Sequence, residues 1–177
     1  MRRYWIISII MLAFVGIGGF LVTEMLSIIP KASVPSFVDE NTTTGPLTLY
    51  YISIGDNGAS GEKIGCGDSA VAVKTEDVKT DNVVSSTFSR LLANHNQFYG
   101  ESGLYNVLYS SNLTFLSSYK VDDTITVNLS GNLSLAGECD NPRVQAELEM
   151  AAKTAAGATI ANIFINSKPL SEVLSLK

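Results

Sequence analysis

The chain has little of what many chemical sites require. Its 177 residues include one histidine, two cysteines, and 12 basic residues against 17 acidic ones. A zinc site takes its ligands from several histidines and cysteines, so these numbers leave such a site without ligands. The acidic balance also lacks the basic surface that nucleic acid or an anionic lipid surface would select. We therefore expect no metal, no cofactor and no nucleic-acid partner.

Charge is also absent from a long stretch near the N-terminus. Arg2 and Arg3 precede an apolar run from Tyr4 to Val22, and a run of roughly 19 residues is long enough to cross about 30 Å of hydrocarbon as a helix. The residues after this run offer only a poor small-x-small cleavage site near Ala32. An uncleaved transmembrane anchor or signal over residues 4–29 is therefore favoured over a cleaved secretory signal. Both alternatives export the rest of the chain.

The charges that flank this run predict its orientation. Two arginines lie before it, whereas Glu24 and a single lysine, Lys31, lie just after it. Positive residues stay on the cytoplasmic side of a membrane. We therefore expect a single-pass protein of the cell membrane, with residues 1–3 in the cytoplasm. A flexible linker rich in Pro, Ser and Thr over residues 30–46 would lead to an extracytoplasmic domain over residues 47–177.

The two cysteines lie far apart in the chain. Cys66 belongs to the loop GDNGASGEKIGCGD at residues 55–68, and Cys139 precedes a predicted helix. In an oxidising compartment they would form one disulfide bond, with two buried free thiols as the alternative. The bond would close a loop of about 70 residues and stabilise the fold by roughly 4 kcal/mol. Its role would be structural.

The loop at residues 55–68 concentrates acidic residues and glycines, as calcium loops do. An EF-type loop requires oxygen ligands at its first, third and fifth positions, glycine at the sixth and a bidentate glutamate at the twelfth. Counting from Asp56 places glycines at the third and twelfth positions, so two ligands are missing. A C-x-x-C redox motif is missing as well. The loop is therefore predicted to be a glycine-rich hairpin connection.

Hydrophobic periodicity predicts an α+β fold: a single β-β-α-β-β-α-β domain with two helices packed on a mixed sheet. The first helix would be capped by Thr80 or Asp81 and end near residues 94–96. The second would be capped by Asn141 and end at Gly157. The predicted strands occupy residues 47–54, 69–75, 113–121, 124–130 and 159–166.

Three segments carry a resemblance to a known family. They are SRLLAN (residues 89–94), SYKVDDTITVNLSGNL (residues 118–133) and TIANIFINSKPL (residues 159–170). With the second helix between the last two, they resemble the GerMN domain, also called the sporulation and spore germination domain. The resemblance extends over residues 47–170 and rests on hydrophobic patterns and turns. The two cysteine-containing loops depart from the pattern.

This resemblance implies a bacterial envelope protein that is tethered by a lipid or a membrane helix, with its domain outside the cytoplasmic membrane. It implies neither an enzymatic activity nor a cofactor, so no catalytic residue is carried over. The only histidine, His95, lies at the end of a predicted helix, and the chain has no G-x-S-x-G motif. We expect a protein that is not an enzyme.

Aromatic residues between the first helix and the third strand form the candidate contact surface. Phe98, Tyr99, Tyr105 and Tyr109 belong to the segment QFYGESGLYNVLY, and aromatic residues on loops are enriched at binding surfaces. The alternative is that these side chains only hold the loop against the core.

The function predicted from these observations is a membrane-tethered extracytoplasmic binding or assembly module of the bacterial cell envelope, without catalytic activity. Its partner would be a second copy, another envelope protein or cell-wall glycan. The alternatives are a small exported envelope hydrolase and a solute- or lipid-binding carrier. A hydrolase requires a polar cleft with converging ionisable groups, and a carrier requires an enclosed apolar pocket. An assembly module requires an exposed sheet edge or apolar patch.

Overall fold

The structure is a computed structural model that describes residues 42–175. The anchor predicted over residues 4–29 and the linker as far as residue 41 lie outside the described residues. Within residues 42–175 no helix is long and apolar enough to cross a membrane.

The first part of the described chain is a long antiparallel ribbon. Strand β1 (Thr43–Ser53) pairs with β3 (Ser69–Thr80), and the two-residue strand β2 (Glu62–Lys63) pairs with the start of β3. Aromatic and β-branched residues favour the extended conformation of β1. Both strands are longer than predicted. Their pairing extends as far as Thr43 and Thr80, beyond the apolar residues on which the prediction was based.

Helix α1 (Val83–Leu92) follows the ribbon. Its N-cap is Asn82, whose Oδ1 accepts a hydrogen bond of 2.9 Å from the backbone N–H of Ser85. The predicted caps Thr80 and Asp81 are therefore wrong, since Thr80 still belongs to β3 and bonds to Ser86 through its hydroxyl. The apolar stripe that periodicity predicts for this helix comprises Val84, Phe88, Leu91 and Leu92. The first three are buried, and Leu92 is partly buried.

The second part of the chain forms a four-stranded mixed sheet in the order β4-β5-β6-β7. The pairs β4/β5 and β6/β7 are antiparallel, whereas β5 and β6 are parallel because helix α2 connects them. The elements are β4 (Asn112–Val121), β5 (Thr124–Asn132), α2 (Asp140–Ala156), β6 (Ile160–Ile165), β7 (Lys168–Pro169) and α3 (Leu170–Ser175).

The predicted α+β class, with two helices and a mixed sheet, is confirmed. The single predicted sheet is divided into two, and a third helix, α3, follows the last strand where no helix was predicted. Helix α2 packs against β1 on one side and β5 and β6 on the other, while α1 packs against β1 and β4. The core lies around these two helices: Leu49, Tyr51, Phe88, Leu91, Ile125, Val127, Val144, Leu148 and Ile163 are all buried.

The ends of α2 agree with the prediction on one side only. Gly157 ends the helix in the left-handed conformation (φ 55°, ψ 49°), as predicted. The helix starts at Asp140, before the predicted cap Asn141, and Cys139 makes no side-chain cap bond. A local side-chain bond lies at this start instead, since Asp140 Oδ2 accepts a 2.7 Å hydrogen bond from the backbone N–H of Ala136, four residues earlier.

A clamp joins the loop at residues 55–68 to the start of α2. Cys66 and Cys139 form a disulfide bond with their Cα atoms 5.8 Å apart. Beside it, Arg143 Nε donates to Asp68 Oδ2 at 2.7 Å and Arg143 Nη1 donates to Asp140 Oδ1 at 3.0 Å. The Asp68 side chain is 1% exposed, so this ion pair is a buried one. Asp68 Oδ1 accepts a further bond from Gly55 N at 2.8 Å, which closes the loop.

Replacing both cysteines by serine is expected to lower the free energy of unfolding by about 4 kcal/mol. The reason is that the bond joins residues 73 positions apart and so constrains a long segment of the unfolded chain. Urea unfolding of the full chain without reductant measures the difference. Reduced wild type is the control and should unfold like the variant. Equal midpoints for oxidised wild type and variant would contradict a stabilising role.

Replacing Arg143 by Met is expected to destabilise the chain by about 3–5 kcal/mol, because it leaves the buried Asp68 carboxylate without its cation. The same change in an Asp68→Asn background should cost clearly less. Lys168→Met is the matched control, since it breaks an exposed ion pair with Glu172 and should cost about 1 kcal/mol or less. Additive costs for Arg143 and Asp68 in denaturant titrations would refute the coupling.

Candidate interaction site

Strand β4 forms an open edge of the four-stranded sheet. It pairs with β5 on one side, and within the described residues no strand pairs with its other side. An unpaired strand edge presents a row of backbone donors and acceptors that can bind another chain. The ten residues Asn112–Val121 make this edge long enough for several such bonds.

The other strand edges in residues 42–175 are short, contain proline or carry several charges. The outer side of β1 contains Pro46 and pairs with Tyr105 only at Ile52, and the part of β3 beyond Ala70, which β2 does not cover, carries four charged residues. At the far side of the same sheet, β7 has only two residues and one of them is Pro169, which has no N–H to donate. In the first sheet, β2 is also two residues long and both, Glu62 and Lys63, are charged. Short, charged and proline-containing edges are the usual protection against edge pairing. Strand β4 has ten residues, no proline and one charged residue, Lys120.

Exposed apolar side chains concentrate around the β4 edge. Six large apolar residues of the described chain are exposed, and four of them lie in this sheet. Residues that pair directly across two strands lie on the same face of a sheet. Val121 pairs with Thr124, which pairs with Ile160, and Tyr119 pairs with Thr126, two residues after Thr124. Tyr119, Val121 and Ile160 therefore share one face. The exposures are 60% for Leu116, 57% for Tyr119, 60% for Val121 and 54% for Ile160.

Leu116 is the extra residue of a β-bulge in β4. The register with β5 shifts between Phe115 and Ser117, so Leu116 has no partner across the pair. A bulge increases the local twist of its strand. It leaves an apolar side chain exposed in the middle of the edge.

The one charge of β4 is not free to protect the edge. Lys120 Nζ donates to the carbonyl oxygens of Ala156 at 3.1 Å and Gly157 at 2.8 Å. These carbonyls belong to the C-terminus of α2, where a cation is stabilised by the helix dipole. The remaining nine residues of β4 are uncharged. The one positive charge of the edge is therefore held at the C-terminus of α2, and the edge carries no other charge.

The adjacent turn holds two aspartates. Asp122 adopts a positive φ of 49°, and Asp123 accepts hydrogen bonds from the backbone N–H and the hydroxyl of Thr159. The bond from the Thr159 hydroxyl lowers the pKa of the Asp123 carboxyl below its usual value. These bonds join the β4-β5 turn to the residue before β6.

The predicted aromatic contact surface is divided by the structure. Phe98 is 48% exposed, and Tyr99 is partly buried and stacks on Tyr51 with ring centroids 4.6 Å apart. Tyr105 is 6% exposed, pairs with Ile52 through two backbone bonds and lies 5.6 Å under the Arg143 guanidinium. Tyr109 packs against Tyr105. Tyr105 holds the segment to the core, Tyr99 and Tyr109 are partly buried against it, and Phe98 is the most exposed of the four.

Both aspartates of the loop at residues 55–68 have hydrogen-bond partners, and Asp68 binds Arg143 as described above. Asp56 accepts hydrogen bonds from the Ser69 hydroxyl and from the N–H groups of Gly58 and Ser60. The bond from Ser69 holds the pKa of the Asp56 carboxyl well below its usual value. Among residues 42–175 no three His, Cys, Asp or Glu side chains are grouped so that they could hold a metal ion.

A buried carboxyl that the sequence analysis did not single out is Glu147 in α2. Its side chain is fully buried, Oε1 accepts a 3.2 Å bond from Val107 N, and Oε2 has no partner among the described residues. Burial raises its pKa well above the usual value, and the nearby Asp140 charge adds to this effect. Glu147 lies three residues after Val144 and four before Ala151, so it lies on the apolar stripe of α2. This spacing indicates a buried carboxyl from the sequence alone.

A raised pKa is often found at catalytic sites, but access decides the role of Glu147. It is 0% exposed and lines none of the surface hollows that the described residues form. A substrate would therefore not reach the carboxyl, and its contacts lie within the core. We interpret it as a structural group that is protonated in the folded state.

Comparison with family models, with curated proteins and with solved structures finds no match for this chain. The resemblance to the GerMN domain therefore stays a prediction.

Replacing Glu147 by Gln is expected to flatten the pH dependence of stability. The folded state keeps the carboxyl protonated while the unfolded state ionises near its ordinary pKa. Folding therefore takes up a proton above that pKa, and wild type loses stability as the pH rises, by about 1.4 kcal/mol per pH unit. The difference between variant and wild type should grow with this slope from about pH 5 to about pH 7.

Urea unfolding at several pH values measures the slope. Glu138→Gln is the matched control, because Glu138 is exposed, and it should leave the wild-type slope unchanged. Parallel curves for the Glu147 variant and wild type would show that the buried carboxyl does not take up a proton on folding.

Proposed function

We propose that this protein is a membrane-tethered, extracytoplasmic assembly module of the bacterial cell envelope, without catalytic activity, and that it self-associates through β4. The tether and the envelope location come from the apolar N-terminal run and from the resemblance to the GerMN domain. The observation that carries the self-association is the open β4 edge with its exposed Leu116, Tyr119 and Val121.

Self-pairing of β4 suits the charge distribution of the domain. Residues 42–175 contain eight basic and fourteen acidic residues, so two copies repel each other over most of their surface. Strand β4 has no acidic residue, and its one lysine is bound to the C-terminus of α2. It is therefore a place where two acidic domains can approach without placing like charges opposite each other.

Two copies related by a twofold axis would pair β4 with β4 in the antiparallel sense, which brings the same patch of both copies together. Tyr119, Val121 and Ile160 lie on the face beside this edge, so the exposed apolar surface would extend across the joined sheets. Backbone bonds would supply much of the affinity and these side chains the register.

The features that the alternative functions require are weak in the described residues. A hollow of about 680 Å³ between β1 and α1 lies open at the surface, unlike the enclosed pocket of a carrier. The one residue with a formal charge in its lining is Arg90, so no acid and base converge there as in a hydrolase. These observations support the assembly proposal over the two alternatives.

The test is recovery of one tagged copy of the full chain by another from detergent-solubilised membranes. Wild type should co-purify with itself. Leu116→Lys together with Val121→Lys places two charges on the edge, and like charges then face each other across the joined strands. This double variant should lower recovery about tenfold or more.

The matched control is Ile54→Lys, because Ile54 is 54% exposed like the edge residues but follows β1 and lies outside the β4 sheet. It should leave recovery unchanged. Failure of wild-type copies to co-purify, or equal recovery of wild type and the double variant, would overturn the proposal. Unchanged unfolding midpoints for the variants show that the loss is not caused by unfolding.

A further inference from the structure

A groove lies between β1, helix α1 and the loop at residues 94–100. Its volume is about 680 Å³, which falls within the usual range of ligand sites. Neither the sequence analysis nor the β4 proposal assigns it a role. Its lining comes from three separate parts of the chain, so it is a product of the fold.

The floor of the groove is apolar and well packed. Leu47, Leu49 and Tyr51 of β1 line it, and all three are buried. Tyr99 lines one end and is held by its stacking contact with Tyr51. Because the three floor residues are almost fully buried, the apolar surface that a ligand can reach comes mainly from the partly buried Val78 and Tyr99.

The rim of the groove carries polar side chains without partners. Ser89, Arg90 and Asn96 line the groove, and their side chains make no hydrogen bond or ion pair within residues 42–175. Arg90 is exposed and is the one residue of the lining with a formal charge. The Arg90 charge also affects Tyr51 on the floor of the groove. Burial raises the pKa of the Tyr51 hydroxyl, whereas the Asn94 hydrogen bond and the Arg90 charge lower it.

Internal hydrogen bonds hold the loop that closes the groove. The buried Asn106 donates from Nδ2 to the carbonyl oxygens of Asn94 at 2.8 Å and Asn96 at 3.1 Å. Asn94 in turn donates to the Tyr51 hydroxyl at 3.1 Å. A wall fixed in this way loses little conformational freedom when a ligand binds.

We propose that this groove binds an extended peptide segment of a partner protein, with apolar side chains on the floor and one carboxylate paired with Arg90. Charge complementarity selects the carboxylate, because the Arg90 guanidinium has no ion-pair partner within residues 42–175 and can bind a carboxylate through two hydrogen bonds. The amide and hydroxyl groups of Asn96 and Ser89 match the backbone groups of a peptide. The groove is open along its length, which suits a chain that continues at both ends.

The test begins with selection of random dodecapeptides displayed on phage against the full chain in detergent micelles. Enriched sequences should combine apolar residues with Asp or Glu. Synthetic peptides then give affinities for wild type and for Arg90→Gln, which removes the charge but keeps a polar side chain. The variant should bind at least about tenfold more weakly, because it loses a charge-assisted bond.

Two further variants locate the site. Lys74→Gln removes an exposed cation of β3 that does not line the groove, and it should leave binding unchanged. Ala93→Trp places a large ring over the groove from an exposed position and should abolish binding without altering the core. A peptide whose acidic residue is replaced by its amide should bind wild type as weakly as the original peptide binds Arg90→Gln.

The proposal is overturned if the selection enriches nothing above empty micelles. It is also overturned if the enriched peptides bind wild type, Arg90→Gln and Ala93→Trp equally. Peptide binding by the chain with Leu116→Lys and Val121→Lys should equal that of wild type, which separates this groove from the β4 edge.

Discussion

The buried contact of Arg143 with Asp68 and Asp140 is the interaction on which the arrangement of the two sheets depends. Asp68 stands immediately before β3, and Arg143 stands in the first turns of α2. Their bond of 2.7 Å, with the disulfide beside it, therefore fixes the helix to the ribbon. Because α2 also packs against β5 and β6, the same contact fixes the ribbon to the second sheet.

This way of joining two sheets uses polar groups where a larger domain would use apolar area. Asp68, Asp140 and Glu147 are all buried around the first half of α2. A buried charge is costly unless it is paired, and here Arg143 neutralises two of the three while Glu147 is held in its protonated form. The perturbed groups of this region thus have a structural explanation, and they need no catalytic one.

The sequence predicted those features that depend on neighbouring residues. The α+β class, the turn between β4 and β5, the apolar stripe of α1 and the end of α2 at Gly157 follow from periodicity and local turn chemistry. The starts of both helices were misplaced by one or two residues. Asn82 competes with Thr80 and Asp81 as the cap of α1, and the Asp140 side chain bonds to the backbone of Ala136 at the start of α2. Helix ends are the least well defined part of a helix, and several neighbouring polar residues offer a cap at each start.

The candidate sites could not be predicted for a related reason. Whether a strand lies at an edge depends on which strands pair over long distances, and nothing within Asn112–Val121 indicates that one side stays unpaired. The use of Lys120 at the end of α2 depends on the same tertiary arrangement. The groove likewise brings together residues from β1, α1 and the loop at residues 94–100.

The open edge follows from how the two helices are used. Sheets of this size bury one face and protect their edges with helices, loops or charges. Here α2 lies between the ribbon and the second sheet, and α1 packs between β1 and β4 on the core side. Both helices are therefore occupied in joining the two sheets. Helix α3 packs against β6 and β7. No helix therefore remains to cover the outer side of β4. A partner strand is the element that would complete this sheet.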